Sequence, residues 1–429
     1  MPVLEKLSGV GPPSRTDDQR RRNLSETLRC VVQGSGKISR AAIAARTGLN
    51  RSTVGRLADE LVGGELIHEV GTAAPTRAGR PARVLAVSPR GPVALGLDVN
   101  VDYVAACLVD LAGDIRYEHV IAQDQRGRPM ADVLNRVNHL ARDALRAVAG
   151  NGRALCGTAV AVPGLVDLTG GVLATAPNLG WHDLDVVQAL RRQGMPGPIA
   201  LDNESNYAAL SEEELLRDGE SFLYVNGQFG VGAGIVIEGR LHRGQHGWSG
   251  EIGHTIVVPD GPRCACGRCG CLETYAGHAA ILRAVGVSHP ASTSLGLRPT
   301  VCLIRERAER GDATTIEALR HTGSVIGIVV AGCLNILDVD RVVLGGIYRD
   351  LSPWIAPAVG KEVASRLCRV GRPSPVVKVA CHGPQAPALG AARSVVRGLV
   401  QDPVAWLARA TGTHRPGPRR ARQRVAGSG

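Results

Sequence analysis

Aromatic residues are scarce in this 429-residue chain, which has two Phe, four Trp and six Tyr. It also lacks an uninterrupted run of about eighteen apolar residues, so no transmembrane helix is expected. The first fifteen residues lack the apolar stretch of a secretory signal. Abundant Ala, Arg and Gly are typical of proteins from GC-rich bacterial genomes. These absences predict a cytoplasmic location.

A disulfide framework is not indicated either, because the chain has eleven cysteines, an odd number. Four of them fall between Cys264 and Cys271, a density that favours a metal site in a reducing compartment. The hydrophobic share of 44% is sufficient for a large core. The length predicts two or three domains rather than one small one.

The net charge of +11 is concentrated at the two ends of the chain. Residues 1–90 hold fifteen Lys or Arg and eight Asp or Glu, a net of +7. Residues 411–429 hold five Arg and no acid, which leaves −1 for everything between. A basic module joined to a nearly neutral body is typical of a DNA-binding regulator with a ligand-sensing domain.

The most specific motif is EIGHTIVVPDGPRCACGRCGCLE, from Glu251 to Glu273. His254, Cys264, Cys266 and Cys271 offer one imidazole and three thiolates, which suit a closed tetrahedral zinc site. Pro and Gly residues between them form the tight bends that such short spacings need. The alternative is a set of buried structural cysteines, which is the interpretation we give to the cysteines scattered elsewhere.

Residues 17–88 follow the pattern of a winged helix-turn-helix domain. Ser39 is placed to cap a short second helix that ends at Gly48, and Asn50 to cap a third. The third helix buries Val54, Leu57 and Leu61. A helix, a turn with Gly and a second helix with exposed basic and hydroxyl side chains predict contacts with DNA. The candidate DNA-binding residues of this helix are Arg51, Ser52, Thr53 and Arg56.

Two short strands, Leu66–Gly71 and Arg83–Ser88, are predicted to form the wing around Arg80. An arginine at such a tip can enter a narrow A·T-rich minor groove. For any one of these arginines, the alternative is a solvated surface charge. Their joint placement on the helix-turn-helix pattern favours DNA binding.

The segments GEIGH and CACGRCGCLE resemble the zinc signature of the ROK family (repressor, open reading frame, kinase). The resemblance runs from about Arg20 to Leu399 and is to a transcriptional regulator of actinobacterial type. It implies zinc on the four ligands named above, whereas Cys269, which departs from the family pattern, could compete as a ligand or be a neighbouring free thiol. It also implies a sugar cleft formed by Asn178, Asn203, Glu204, Glu251, His254 and Glu273.

The same resemblance implies an α/β fold of two actin-like, ribonuclease H-like lobes after the winged helix-turn-helix. Outside the residue 17–88 module we expect a flexible N-terminus and a disordered basic tail. The expected bounds are 1–16 for the N-terminus, 91–203 with 385–400 for the first lobe, 204–384 for the second lobe with the zinc site, and 411–429 for the tail.

Three features of ROK sugar kinases are altered in this sequence. Asp98 is followed by Val99–Asp102 instead of Gly-Gly-Thr, where a bare backbone must approach nucleotide phosphates. The second phosphate loop reads Gln228–Gly232 instead of Gly-Thr-Gly-x-Gly. Glu204 replaces the catalytic Asp, and its extra methylene displaces the carboxylate, a change that alone can slow catalysis by about 10²-fold. We therefore predict no catalytic residue and no enzyme activity.

The sequence thus predicts a sugar-responsive DNA-binding regulator, more plausibly a repressor than an activator. Its expected partners are operator DNA and a sugar or sugar derivative, with one structural zinc ion per chain. A homodimer or a dimer of dimers would match a palindromic operator. Two alternatives remain: an ATP-dependent sugar kinase that retains a DNA-binding domain, and a sugar-binding scaffold without operator specificity.

Overall fold

The computed structural model describes residues 15–34, 37–72, 83–150, 152–168, 170–287, 296–368 and 375–410. Contacts between residues divide the chain into two units. The smaller unit combines the N-terminal region up to Gly91 with the residues from Gly398 onward, and the larger unit is Pro92–Arg397. Each unit is described by itself below.

The N-terminal part of the smaller unit has three helices and a three-stranded sheet. The elements are α1 (Arg15–Gln33), β1 (Ile38–Ser39), α2 (Arg40–Thr47), α3 (Arg51–Gly63), β2 (Ile67–Thr72) and β3 (Arg83–Val87). Strand β3 lies in the middle of the antiparallel sheet, in the order β1-β3-β2. The buried side chains of α1 and α3, among them Leu24, Leu28, Val54 and Leu57, form its core.

Local hydrogen bonds fix both ends of α2 and the start of α3. Ser39 Oγ accepts the N–H of Ala42 at 3.2 Å, and Asn50 Oδ1 accepts the N–H of Thr53 at 2.7 Å. Gly48 adopts a φ of 70°, the left-handed conformation that ends many helices and favours glycine. The three positions predicted as helix boundaries therefore have these roles in the structure.

The first lobe of the larger unit has a five-stranded sheet in the order β11-β7-β4-β5-β6. Strands β4, β5 and β6 are an antiparallel meander, and β7 and β11 add parallel to it. A small antiparallel sheet, β10-β9-β8, lies beside it in the chain. The elements are β4 (Val93–Val99), β5 (Tyr103–Asp110), β6 (Ile115–Ala122), α4 (Met130–Ala149), β7 (Leu155–Val162), β8 (Leu165–Asp167), β9 (Val172–Ala176), β10 (Trp181–Leu184), α5 (Val186–Arg192) and β11 (Ile199–Asn203).

The second lobe repeats this topology, with a sheet in the order β14-β13-β12-β15-β16. Again three antiparallel strands are extended by two parallel ones, which is the duplicated arrangement of actin-like proteins. Its elements are α6 (Glu204–Leu210), α7 (Glu213–Arg217), β12 (Phe222–Gly227), β13 (Val231–Ile237), β14 (Arg240–Leu241), α8 (Glu273–Ala276), α9 (His278–Ala284), α10 (Leu297–Glu309), α11 (Ala313–Leu337), β15 (Arg341–Gly346), α12 (Ile347–Asp350), α13 (Ser352–Arg366) and β16 (Val376–Val379). The predicted two-lobed α/β architecture is confirmed.

The last two helices are α14 (Ala386–Gln401) and α15 (Val404–Ala410). Helix α14 lies against the first lobe so closely that a Cβ on Gly96 would come within 1.8 Å of the carbonyl oxygen of Ala388. Helix α15 belongs to the smaller unit, where Trp406 Nε1 donates to the Gly64 carbonyl at 2.9 Å. The sequence analysis assigned no element to residues 404–410.

Helix α11 is, among the residues that the structure describes, the one helix long and apolar enough to span a membrane by length and composition. Its most apolar window has a mean hydropathy of 1.3, and 56% of that window is buried in the fold. Buried Leu319, Ile326, Val330 and Leu334 belong to the core of the second lobe. A core helix of a folded domain meets the same criteria, so this feature is weak evidence for a membrane.

Candidate functional site

A short hairpin-like loop of the second lobe brings the motif cysteines together. Isolated antiparallel bridges join Ile256 to Cys271 and Arg263 to Cys269. Gly270, at the base of the loop, has a φ of 75°, and a Cβ there would come within 1.7 Å of the Val258 carbonyl oxygen. No residue with a side chain fits that position without a shift of the loop.

His254, Cys264, Cys266 and Cys271 could hold a metal ion, because their ligand atoms all lie within 4.8 Å of one another. Cys266 Sγ is 3.7 Å from Cys271 Sγ, and Cys264 Sγ is 3.8 Å from His254 Nδ1. Ligands about 2.3 Å from a central tetrahedral zinc ion are separated by roughly 3.8 Å. The donor set and its spacing therefore fit zinc. Cys269 is exposed and lies outside this group.

His254 faces two ways. Its Nδ1 lies on the side of the cysteines, whereas its Nε2 lies 3.9 Å from Glu251 Oε2. The residue sits in the short 3-10 helix Ile252–His254, which directly follows Glu251. One ring nitrogen is therefore available to a metal ion and the other to the neighbouring cavity.

A cavity of about 80 Å³ adjoins this cluster, and we call it the inner cavity. Its wall includes the Gln228–Gly232 loop and Cys266. All of the residues predicted to bind sugar line it: Asn178, Asn203, Glu204, Glu251, His254 and Glu273. The structure therefore brings together the complete set that the sequence analysis named, from both lobes.

Glu204 is the most unusual group in the inner cavity. Its Oε2 atom is buried and has no hydrogen-bond partner among the described residues. Burial raises the pKa of this carboxyl well above its ordinary value, and the nearby carboxylates of Asp98, Glu251 and Glu273 raise it further. A buried polar atom without a partner is costly unless a ligand or water satisfies it. Glu204 is thus suited to hydrogen-bond a ligand.

Glu251 shares this environment. Burial raises the pKa of its carboxyl, the charge of His254 lowers it, and the carboxylate of Glu273 raises it. The raised pKa values of Glu204 and Glu251 favour the protonated forms of these carboxyl groups, which can donate to hydroxyl groups as well as accept from them.

Asn203 has a second role, as the N-cap of α6. Its Oδ1 accepts the N–H of Ser205 at 2.7 Å, and its Nδ2 donates to the Gly164 carbonyl at 2.9 Å. Both ends of the amide are therefore engaged by the backbone. Its wall position leaves a second amide hydrogen and a second lone pair for a ligand.

Glu273 is positioned by the Gln228–Gly232 loop. Its Oε2 accepts the N–H of Val231 at 3.3 Å. A Cβ on Gly230 would lie 2.2 Å from that same oxygen and 3.7 Å from Asn178 Nδ2. A side chain at position 230 would therefore displace the Glu273 carboxylate from its place in the cavity wall.

The segment after Asp98 carries several buried polar side chains. Asn100 is 2% exposed, and its Oδ1 accepts the N–H of Val101 at 2.7 Å. Tyr103 donates its hydroxyl proton to Asp98 Oδ2 at 2.7 Å. Burial raises the pKa of Asp98 to about 7, the bond from Tyr103 lowers it, and the charge of Asp102 raises it. The sequence analysis did not single out Tyr103.

The Gln228–Gly232 loop carries Phe229, which packs against the hydrophobic cores of both lobes. Its ring meets that of His278 edge-on, with centroids 5.6 Å apart. The guanidinium of Arg126 lies 5.6 Å from the Phe229 ring centroid. No local pattern in the sequence predicts this contact.

In the smaller unit, Arg51, Ser52 and Arg56 are exposed on α3, and Thr53 is half-buried. The hydroxyl of Ser52 donates to Asn50 Oδ1 at 2.8 Å, so it is partly engaged in the cap. The predicted contribution of Arg80 lies outside the described residues, as does most of the segment between β2 and β3.

Some arginines of this unit form ion pairs with acidic side chains, and others do not. Arg40 contacts Asp59 and Glu69 at 2.6 and 3.0 Å, and Arg83 contacts Glu69 at 2.5 Å. Arg20 pairs with Glu60. Among described residues, no acidic partner is present for Arg51, Arg56 or Arg46, the last of which is exposed in the final turn of α2 and was missed by the sequence analysis.

The family model for the ROK family matches residues 94–397, most of the chain. The chain therefore belongs to the ROK family, as the sequence motifs indicated. The match covers both lobes and the cysteine motif.

One relative is named as a repressor and another as a transcriptional dual regulator. The xylose repressor of Bacillus subtilis is 29% identical over 365 residues, 84% of this chain and 91% of its own. The transcriptional dual regulator NagC of Escherichia coli is 28% identical over 357 residues, 81% of this chain and 86% of its own. The relatives' similarity thus extends beyond the two lobes into the N-terminal region.

Among solved structures, a ROK family transcriptional regulator described as a homologue of the Escherichia coli MLC protein is similar in fold. It superposes with a TM-score of 0.75 at 22% identity, over 93% of this chain and all of its own. At that identity the likeness supports the fold alone.

Proposed function

We propose that this protein is a sugar-responsive transcriptional repressor that controls genes of carbohydrate metabolism. One observation carries the proposal: the inner cavity collects three carboxyl groups, two amides and the histidine of the cysteine cluster, with the buried Glu204 oxygen unpartnered among described residues. Paired donors and acceptors of this kind match the vicinal hydroxyl groups of a sugar. The names of the relatives, a xylose repressor and NagC, support the regulatory half of the proposal.

The smaller unit would bind operator DNA as a winged helix-turn-helix. Helix α3 would enter the major groove with Arg51, Ser52, Thr53 and Arg56, and Arg80 would contact the minor groove. Arg51 and Arg56 have no acidic partner among the described residues, so their charges are available to phosphates. Arg46 joins them as a phosphate-contact candidate.

The cysteine cluster would hold one structural zinc ion. Metal on Nδ1 of His254 fixes the ring orientation and leaves a proton on Nε2, the nitrogen that faces Glu251. Nε2–H would then donate to a sugar hydroxyl. In this way the zinc site would set the geometry of one wall of the sugar cleft.

The chain would not be a sugar kinase. The first phosphate-loop position is filled by buried Asn100 and Val101, and the second by Phe229. Bulk at these places excludes the close backbone approach that nucleotide phosphates need.

The protein would act in the cytoplasm, associated with the nucleoid when bound to DNA, as a homodimer or a dimer of dimers. Sugar binding between the lobes would favour one degree of lobe closure and thereby alter operator affinity. This requires the sugar to bind the two forms with different affinity, and a few kcal/mol suffice.

The test is binding of the purified zinc-loaded protein to its own promoter region by fluorescence anisotropy, at fixed salt, with and without a panel of sugars. Specific binding that one sugar weakens is expected. Sugar binding without specific DNA binding would favour the scaffold alternative instead. ATP-dependent phosphorylation of a sugar would contradict the proposal and support the kinase alternative.

A further inference from the structure

A second cavity opens beside the inner one, and we call it the outer cavity. Its volume is about 450 Å³, against about 80 Å³ for the inner cavity. The two share wall residues Val101, Asn178, Phe229, Ala265 and Glu273, so they are neighbouring parts of one cleft. Small-molecule sites in proteins have volumes of about 300–1,000 Å³. A ligand anchored in the inner cavity therefore has room to extend into the outer one.

Three arginines line the outer cavity: Arg126, Arg263 and Arg283. Arg126 is held by Asp124 through a bond of 2.7 Å. For Arg263 and Arg283 no carboxylate partner is present among the described residues, and Arg283 donates only to the Thr274 carbonyl, at 3.2 Å. Glu273 is the only acidic residue on this wall. The described wall thus carries an excess of positive charge.

Arg268, which hydrogen-bonds Cys266, does not line the outer cavity. The field of Arg126 also extends inward: burial lowers the pKa of His278 to about 4, and the charge of Arg126 lowers it further. His278 is therefore neutral near pH 7 and adds no positive charge of its own.

Resting on the proposed function, we infer that the effector is a sugar carrying an anionic substituent, such as a phosphate, whose ring lies in the inner cavity and whose anion is bound by Arg263 and Arg283 in the outer one. Guanidinium groups bind phosphates and carboxylates in a bidentate manner. Arg126 is already paired with Asp124. It therefore contributes to the positive electrostatic potential of the cavity and does not bind the anion directly. The otherwise small and apolar wall, with Gly277, Ala279 and Ala280, leaves space for the anion.

The experiment is isothermal titration calorimetry on the full-length, zinc-loaded protein. The probes are glucose, N-acetylglucosamine and xylose, the 1-phosphates and 6-phosphates of the first two, glucuronate and inorganic phosphate. At least one phosphorylated sugar is expected to bind about tenfold or more tightly than its parent. A preference for glucuronate over the phosphates would identify a carboxylate as the anion and equally support the inference.

The matched variants are Arg263→Gln with Arg283→Gln, compared with Arg320→Gln on the exposed face of α11. The double variant should abolish the advantage of the charged sugar and leave the affinity for its parent within about twofold. Arg320→Gln should change neither. Zinc content and melting temperature identify a variant that has failed to fold. The comparison of neutral and charged sugars on the unaltered protein tests the inference even if a variant does not fold.

The two proposals fail differently. Equal affinity for a neutral sugar and its charged derivatives would overturn this inference and leave the proposed function intact. Retention of the charged-sugar advantage in the folded double variant would also overturn it. Absence of binding by every probe, neutral or charged, would count against the sugar cleft itself.

Discussion

The Oδ2 atom of Asp102 accepts the backbone N–H of Leu297 at 2.6 Å, a hydrogen bond between residues 195 positions apart. Asp102 follows the first strand of the first lobe, and Leu297 begins α10 of the second lobe. A carboxylate therefore lies at the N-terminus of a thirteen-residue helix, where the helix dipole favours negative charge. The segment that follows Asp98 thus provides a hydrogen-bonded link between the two lobes.

Asp102→Ala should loosen this link. We expect hydrogen exchange at the first amides of α10 to accelerate by about tenfold, because a charged hydrogen bond contributes about 1.5–3 kcal/mol. Sugar affinity should fall as well, since fewer molecules would have closed lobes. Hydrogen exchange with mass spectrometry measures the first effect, and calorimetry the second.

Asp102→Asn is the matched control, because its amide oxygen still accepts the bond, and Asp143→Ala on the surface of α4 controls for loss of an acid. Unchanged exchange in the Asp102→Ala protein would show that the lobes are held by other contacts.

Single cysteine substitutions should distinguish the metal ligands from Cys269, which lies outside the cluster. Cys266→Ala is expected to bind less than one zinc per chain and to lose its sugar response, because three ligands hold zinc less tightly than four. Cys269→Ala should keep one zinc and the response, since Cys269 is exposed and outside the cluster. The zinc content of each variant, measured by mass spectrometry, distinguishes these two outcomes. Equal zinc content in both variants would exclude Cys266 as a ligand.

The features that the sequence predicted well are encoded within a few residues. Ser39 and Asn50 cap helices through bonds to backbone groups three positions away. The ligand cluster follows from tight cysteine spacing and the glycines that permit it. Such signals are local, so a single sequence carries them.

The features that the sequence did not predict depend on distant partners. In the sequence Phe229 is an ordinary apolar residue, and only the structure shows its contacts with Arg126 and His278. The link from Asp102 to Leu297 and the bond from Trp406 to Gly64 join residues that are far apart in sequence. Neither pair of residues has a spacing or a local composition from which the contact could be predicted. These contacts require the fold to be known.

Operator binding should depend on the unpaired arginines of α3. Arg56→Gln is expected to weaken binding about tenfold and to reduce the slope of log affinity against log salt by about one, as for one phosphate contact. Arg136→Gln, exposed on α4 of the larger unit, is the charge-matched control. Anisotropy titrations at several salt concentrations give both quantities. An unaltered slope together with weaker binding would indicate a base contact instead.

The buried carboxyl of Asp98 should make stability depend on pH. Its pKa is raised from 3.8 to about 7, so the folded state retains a proton that the unfolded state releases. The free energy of unfolding therefore falls as pH rises through this interval and levels off above about 7. The loss is at most about 1.4 kcal/mol for each pH unit.

Asp98→Asn removes this titration and keeps an acceptor for the hydroxyl of Tyr103. Its melting temperature should exceed that of the unaltered protein by a margin that widens from pH 5 to pH 8. Asp143→Asn should show no widening margin. A constant difference for Asp98→Asn would mean that Asp98 is ionised throughout the interval.

Helix α15 should stabilise the smaller unit although it comes from the far end of the chain. Leu407 is 4% exposed, and a Cβ on Gly64 would lie 2.3 Å from its Cδ2, so the two residues are in close contact. Arg21 and Asp402 add an ion pair at 3.3 Å, largely exposed to solvent. Leu407→Ala should lower the free energy of unfolding of this unit by about 2–4 kcal/mol, because it leaves a cavity beside Gly64.

The exposed Arg409 of the same helix provides the control, and Arg409→Ala should change stability little. Differential scanning calorimetry of the full-length protein reports on this stability, and operator affinity reports on its consequence. We expect Leu407→Ala to melt at a lower temperature and to bind the operator more weakly above that temperature. If both variants melt together with the unaltered protein, α15 adds nothing to the stability of the smaller unit, and the bond from Trp406 to Gly64 is incidental.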